Sequence, residues 1–182
     1  MKSLKETIGF IGAGNMATAL ISGLINSDQN ASKIIASSPE QEHLEKLSKD
    51  FGIKTTSNNL EVIDIADIVI LAVKPNIVQA VIDEIKDSAI DKDILIISIA
   101  AGVKIKKIES QLGSHIRVIR AMPNTPASIM EGVTAICPNS NAQSNDIENA
   151  KLLFECVGKI AHINEKDIDL SLIHISEPTR QA

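Results

Sequence analysis

The sequence predicts an α/β fold in which helices cover both faces of a mostly parallel, doubly wound sheet. Short apolar segments that suit buried strands alternate with segments of helical apolar spacing, at intervals of about 25 to 30 residues. Two of the apolar segments, residues 68–73 and 94–99, are continuous, as strands buried on both faces require. These two segments are therefore predicted to be central strands of the sheet.

The first half of the chain contains three further predicted strands. Residues 8–11 form the first one, and Met16, Ala19, Leu20, Gly23 and Leu24 then recur at helical spacing. Residues 34–36 give the second strand, and a helix over residues 39–49 follows it. Residues 53–55 give a short third strand, after which Asn58 or Asn59 is expected to cap a short helix.

The second half continues the alternation. Apolar residues at positions 77, 78, 81, 82 and 85 form one face of a helix between the two central strands. A helix is predicted over residues 104–112, strands over residues 117–121 and 134–136, and a last helix over residues 147–154 before a strand at residues 159–162. The length of 182 residues suits one domain of ordinary size, or one such domain and a fragment of another.

Composition excludes several classes of function. The 182 residues are 44% hydrophobic, which is ample for a core, and the net charge is −5. With no cluster of Lys and Arg and only three aromatic residues, all Phe, the chain lacks the features of a nucleic-acid-binding surface. No apolar run reaches the roughly 20 residues needed to span a bilayer. We therefore expect no nucleic-acid partner, no membrane association and a cytoplasmic location.

The pattern Gly12-x-Gly14-x-x-Ala17 lies between the first strand and the first helix. Gly12 suits a tight turn, Gly14 lets a pyrophosphate approach the backbone, and Ala17 keeps helix and strand close. The helix N-terminus adds N–H groups and a favourable dipole for an anion. A purely structural turn is the alternative, but the order of strand, turn and helix favours a Rossmann-like dinucleotide site.

Ligands of such sheets bind at the carboxyl ends of the strands, so the residues that follow each strand are candidates for the site. After the second strand, Ser37 and Ser38 stand where an NAD enzyme usually has an acidic residue, although Glu40 is close. Their hydroxyls could donate to a 2′-phosphate, which favours NADP. Ser38 could also cap a helix beginning at Pro39, and the two roles are compatible.

Three other strand ends complete the expected crevice. Lys74 and Pro75 follow the fourth strand, where the lysine either faces the cofactor or is an ordinary turn residue. Residues 98–103 are small enough to pack against a flat ring, and residues 120–126 form a rigid loop with two prolines and an amide. Both segments are predicted to face the same crevice.

No catalytic triad, paired carboxylates or metal-ligand spacing is present in the sequence, so no catalytic residue and no metal site are assigned. His43 and His115 are expected to be solvated because no carboxylate partner is indicated near either of them. Cys137 and Cys156 are expected to be reduced, buried or half-buried thiols. Hydride transfer fits this pattern, because the cofactor then supplies the chemistry.

Five ordered motifs together resemble the pyrroline-5-carboxylate reductase family. They are residues 8–17 (IGFIGAGNMA), 36–39 (ASSP), 71–75 (LAVKP), 100–102 (AAG) and 122–126 (MPNTP), the last followed by Glu131 and Gly132. The resemblance covers residues 7–169. It implies reduction of 1-pyrroline-5-carboxylate to L-proline, the last step of proline biosynthesis, with NADPH as the usual hydride donor and NADH as an alternative.

The resemblance also implies roles for individual residues. The pyrophosphate would lie on the glycine turn, the 2′-phosphate at the serines, the adenosine beside Asn58, and the nicotinamide half between the fourth and fifth strand ends. The expected cofactor-binding residues are Ile11, Gly12, Ala13, Gly14, Asn15, Met16, Ser37, Ser38, Asn58, Ala72, Val73, Lys74, Pro75, Ala100, Ala101 and Gly102. The expected substrate-facing residues are Met122, Asn124 and Thr125.

The resemblance ends abruptly near the C-terminus. Residues 1–163 are expected to form the NAD(P)-binding domain and residues 164–170 to begin a connection to a helical dimerisation domain. Residues 171–182 depart from the family pattern, and we expect them to be foreign or out-of-frame sequence. The resemblance implies homo-oligomers that assemble through that helical domain, and we do not expect this chain to assemble in the same way. The alternatives are a catalytically incompetent NADPH-binding fragment and a β-hydroxyacid-dehydrogenase-like reductase.

Overall fold

A computed structural model describes residues 3–124 and 132–168. In these ranges eight strands form one sheet in the order β3-β2-β1-β4-β5-β6-β7-β8. Neighbouring strands are parallel except β6 and β7, which are antiparallel. The strands are β1 (Ile8–Ile11), β2 (Ile34–Ser37), β3 (Lys54–Thr56), β4 (Ile68–Leu71), β5 (Leu95–Ser98), β6 (Arg117–Pro123), β7 (Gly132–Pro138) and β8 (Gly158–His162).

Helices cover both faces of the sheet, as the sequence predicts. They are α1 (Asn15–Asn26), α2 (Gln41–Phe51), α3 (Asn59–Ile65), α4 (Val78–Ala89), α5 (Ile105–Leu112) and α6 (Ser144–Glu155). Helices α1, α2 and α6 bury their apolar residues in one core, and α3, α4 and α5 bury theirs in a second core on the opposite face. Every residue of β1, β2, β4 and β5 is buried, because these strands are covered on both sides.

Helix α2 begins at Gln41, two residues later than predicted, and Ser38 is not its N-cap. The Ser38 Oγ accepts a hydrogen bond from the Glu40 N–H at 3.1 Å. A serine that bonds the N–H two residues ahead closes its own turn before the helix, and residues 38–40 therefore stay outside it. The expected cap on α3 is confirmed, because Asn58 Oδ1 accepts from the Leu60 N–H at 3.0 Å.

Strand β6 is longer than predicted, and it includes Met122 and Pro123, which were expected in a loop. Ser98, the last residue of β5, pairs with Arg120, so the end of β6 pairs with β7 alone. Asn124 N donates to Val133 O at 3.3 Å. In an antiparallel ladder, residue pairs joined by backbone hydrogen bonds alternate with pairs that are not joined. Asn124 and Val133 are joined, so the neighbouring pair of Pro123 and Thr134 is not. Proline is tolerated there because the ladder requires no N–H from it.

The chain after β8 turns back onto the sheet. Ile168 is fully buried in the core formed by α3, α4 and α5. The predicted boundary at residue 163 and the connection over residues 164–170 stay predictions, and the expected foreign tail at residues 171–182 lies outside the described residues. Among the helices that the structure describes, none has the length and apolar character needed to cross a membrane.

Candidate dinucleotide-binding site

An open cleft of about 570 Å³ lies at the carboxyl ends of β1, β2 and β4. The sheet runs from β1 to β2 and β3 in one direction and to β4 and β5 in the other, so the strand order reverses here. Such a reversal is where open α/β sheets bind ligands. The lining residues are Gly12, Ala13, Gly14, Asn15, Ser38, Pro39, Glu40, His43, Ala72, Val73, Lys74 and Ile77.

Gly12 lines the cleft and packs closely against the backbone at the end of β4. It has φ +111°, and a Cβ added there would lie 2.5 Å from the carbonyl oxygen of Ala72. Its N–H donates to Ser37 O at 2.9 Å, while the Ala72 N–H donates to Ile11 O at 2.8 Å. The turn therefore fits closely between the ends of three strands, and only glycine satisfies both the backbone angle and the contact.

Gly14 is different, because a Cβ added there would meet no atom within 4 Å. Its φ of −78° and ψ of −167° are accessible to any residue, and it precedes α1, whose first residue is Asn15. The first turn of α1 has no side-chain cap and no acidic residue. Its leading N–H groups and the positive end of the helix dipole therefore face the cleft, and the space beside Gly14 fits a pyrophosphate.

The two serines expected at the 2′-phosphate end are placed differently from each other. Ser38 lines the cleft. Ser37 is fully buried, and its hydroxyl donates to Asn59 Oδ1 at 2.6 Å and lies 3.4 Å from Phe10 O. The Ser37 hydroxyl is therefore occupied behind the cleft wall, which corrects the expectation that it is presented to a ligand. Asn58 is exposed at the start of α3, outside the lining of the cleft.

Glu40 and His43 were not among the predicted site residues, but both line the cleft beside Ser38. His43 Nε2 lies 3.2 Å from Glu40 Oε2. The expectation that His43 lacks a carboxylate partner is therefore wrong. The i, i+3 spacing of the two residues at the start of a predicted helix was the signal that could have found the pair.

The residues after β4 and β5 are split between the cleft and its surroundings. Ala72, Val73 and the exposed Lys74 line the cleft, and Pro75 begins the short 3₁₀ turn Pro75–Ile77. Ala100 is buried, while Ala101 and Gly102 are exposed at the end of β5 without joining the lining. Gly102 has φ +74°, which a residue with a side chain rarely adopts.

The expected substrate-facing residues are not all at a surface. Met122 is buried in the core with α3, α4 and α5. Asn124 Oδ1 accepts a hydrogen bond from the Val133 N–H at 3.0 Å, so the amide braces the beginning of β7. Thr125 lies outside the described residues. The structure thus places Met122 within the fold and leaves Asn124 half-buried at the strand end.

Both cysteines are free, as expected, with Cys137 buried and Cys156 half-buried. Burial, followed by the nearby Glu165 carboxylate, raises the pKa of the Cys137 thiol. Burial raises the pKa of the Cys156 thiol to about 12. The Cys156 thiol donates to Leu153 O at 2.7 Å. Both thiols are held in the protonated, unreactive form.

Comparison with known proteins agrees with this geometry. The model of the family "NADP oxidoreductase coenzyme F420-dependent" matches residues 7–102, which include the glycine turn and β5. The structure of a pyrroline-5-carboxylate reductase from Coxiella burnetii superposes with a TM-score of 0.89 and 32% sequence identity, over 96% of this chain and 69% of that one. The chain belongs to the pyrroline-5-carboxylate reductase family.

Other members of the pyrroline-5-carboxylate reductase family give the same result. The Escherichia coli (strain K12) enzyme is 40% identical over 163 residues, which are 89% of this chain and 60% of that protein. The structure of the Plasmodium falciparum enzyme with NADP bound has a TM-score of 0.85 and 31% identity, over 98% of this chain and 66% of that one. This chain spans about 60% of the length of the curated reductases it matches.

Proposed function

We propose that this protein reduces 1-pyrroline-5-carboxylate to L-proline with NADPH. The observation that carries the proposal is the empty space beside Gly14, next to the uncapped N-terminus of α1 in the cleft. The chain has 32–40% identity to proteins named pyrroline-5-carboxylate reductase, which supports this substrate over other substrates of the fold. The family resemblance supports the choice of substrate, and the geometry of the cleft supports the cofactor site.

When bound, NADPH supplies a hydride to C5 of the protonated imine, and the electron pair of the C=N bond returns to the nitrogen. The backbone N–H groups at the start of α1 bind the pyrophosphate, and Gly12 holds that turn against β4. Val73 and Lys74 line the cleft after β4, where the nicotinamide half would bind. These residues bind and orient, which is the protein's main contribution to hydride transfer.

NADPH is favoured over NADH by the Ser38 hydroxyl at the adenosine end and by the NADP bound to the Plasmodium falciparum relative. The Glu40 carboxylate works in the opposite direction, because it repels a 2′-phosphate and can accept a hydrogen bond from a 2′-hydroxyl. His43 Nε2 lies 3.2 Å from the same carboxylate. We therefore propose NADPH as the preferred donor and NADH as a weaker one.

Two measurements on the purified chain test the proposal. NADPH fluorescence reports binding, and the loss of absorbance at 340 nm with 1-pyrroline-5-carboxylate reports turnover. Binding with turnover supports both parts. Binding without turnover confines this chain to the cofactor half of the reaction, and absence of NADPH binding refutes the proposal. Oxidation of a β-hydroxyacid with NADP⁺ would instead favour the dehydrogenase alternative, whose representatives share only the fold at 17% identity.

A further inference from the structure

Glu165 joins three separate segments of the chain. Its Oε1 accepts a hydrogen bond from the Ile105 N–H at 2.6 Å, although the two residues are 60 positions apart. The same oxygen lies 3.6 Å from Arg120 Nη1 on β6. The segment that follows β8 is thereby attached to the first residue of α5 and to β6.

The surroundings hold Glu165 in this position. Arg120 is fully buried, where a guanidinium requires a nearby carboxylate to offset its loss of hydration. Ile168, three residues after Glu165, is fully buried in the core with α3, α4 and α5. The carboxylate is thus fixed by a buried cation on one side and by packing of its own segment on the other.

Glu165 supplies a cap that α5 lacks locally. Lys104, at the N-cap position, makes no side-chain capping bond, and the first turn of α5 has no acidic residue. A carboxylate that accepts from the first N–H groups stabilises a helix N-terminus. Because Ile105 directly follows the loop of residues 99–104, the bond fixes the far end of that loop. The near end is fixed by Ser98, which pairs with Arg120.

We propose that Glu165 is a positioning residue for the nicotinamide half of the cofactor. It acts through the N-terminus of α5 and holds the β5–α5 loop, which contains Ala101 and Gly102, beside the cleft. The inference rests on the proposed function and on the expected position of the nicotinamide half between the ends of β4 and β5, where this loop begins. The adenosine half lies at the ends of β1 and β2, which Glu165 does not touch, so loss of Glu165 affects the two halves unequally.

The test compares the affinities of NADPH and adenosine 2′,5′-bisphosphate for the wild type, Glu165→Ala and Glu165→Gln, with Glu155→Ala as a control at an exposed glutamate. We expect Glu165→Ala to weaken NADPH binding about tenfold and to leave the bisphosphate within twofold. Glu165→Gln, which keeps an acceptor for Ile105, should recover most of the loss. The control should bind both ligands as the wild type does.

Equal weakening of both ligands by Glu165→Ala, or no weakening of either, would overturn the inference. If Glu165→Ala does not fold, amide hydrogen exchange on the wild type replaces it. NADPH should then protect the Ile105 amide more than the bisphosphate does, and equal protection, or none, would overturn the inference. A wild type that binds neither ligand would refute the proposed function itself, and the inference would fall with it.

Discussion

A methyl group added at Gly14 should greatly weaken cofactor binding without destabilising the protein, whereas the same group at Gly12 should destabilise the fold. A Cβ at Gly14 meets no atom within 4 Å, and the backbone there suits alanine. Alanine is a poorer N-cap than glycine, but it also restricts the unfolded chain, and these effects largely cancel. The free energy of unfolding of Gly14→Ala should therefore stay within about 1 kcal/mol of the wild-type value.

The loss of binding can be estimated from the bonds that the methyl group prevents. Displacing the pyrophosphate from the turn removes about two charge-assisted N–H hydrogen bonds, each worth about 1.5 kcal/mol. The sum is about 3 kcal/mol, which corresponds to roughly 100-fold weaker NADPH binding. Titration of NADPH fluorescence measures this change directly.

Gly12→Ala is the matched comparison. Its φ of +111° would strain alanine by roughly 1–3 kcal/mol. The contact of 2.5 Å with Ala72 O involves backbone, so the end of β4 would have to move, at a further cost of about 1–3 kcal/mol. We expect a loss of about 3 kcal/mol or more in urea unfolding. The reasoning is refuted if Gly14→Ala binds NADPH within threefold of the wild type, or if Gly12→Ala is as stable as the wild type.

Three further predictions concern charge. Glu40→Gln should raise the ratio of NADPH to NADH affinity by about threefold or more at low ionic strength, because it removes a carboxylate from the 2′-phosphate end of the cleft; an unchanged ratio would contradict this. Arg117→Met should lower the free energy of unfolding by about 3 kcal/mol, because its partner Asp146 has a side chain only 4% exposed. The control Asp93→Asn, at a side chain 96% exposed, should change the free energy of unfolding by less than about 1 kcal/mol. Equal losses of stability for the two variants in urea unfolding would contradict the argument from burial. Because the pKa of the Cys156 thiol rises from 9.0 in the unfolded chain to about 12, its contribution to stability is complete below pH 9 and is lost as the pH rises toward 12. Between pH 8 and pH 10 the wild type should therefore lose about 1 kcal/mol more stability than Cys156→Ala, and parallel losses would show that the thiol does not titrate this way.

The part of the site that the sequence predicts well is the part built by neighbours in the chain. Strand β1, the glycine turn and the start of α1 follow one another directly along the chain. Their geometry therefore depends on local backbone preferences. Ala72, Val73 and Lys74 also line the cleft, because the carboxyl ends of parallel strands share one edge of the sheet.

Side-chain direction was harder to predict. Ser37 and Ser38 are adjacent, yet the Ser37 hydroxyl bonds Asn59 away from the cleft, whereas Ser38 lines the cleft. The difference comes from Asn59, 22 residues later, which accepts the Ser37 hydroxyl. Met122 likewise belongs to the core, because β6 continues past β5 to pair with β7. Neither the direction of the Ser37 hydroxyl nor the burial of Met122 can be predicted from neighbouring residues in the sequence.

Hydrophobic periodicity and glycine at defined spacing are features of the sequence alone, and the order of strands and helices, the two-sided burial of the sheet and the glycine turn follow from them. Two features depend instead on how distant segments pack in three dimensions: Ser38 rather than Ser37 lines the cleft, and Glu165 caps α5. Ser37 contacts a residue 22 positions away, and Glu165 contacts one 60 positions away. Local backbone preferences cannot specify contacts over such separations. They exist because packing of the two faces brings these segments together.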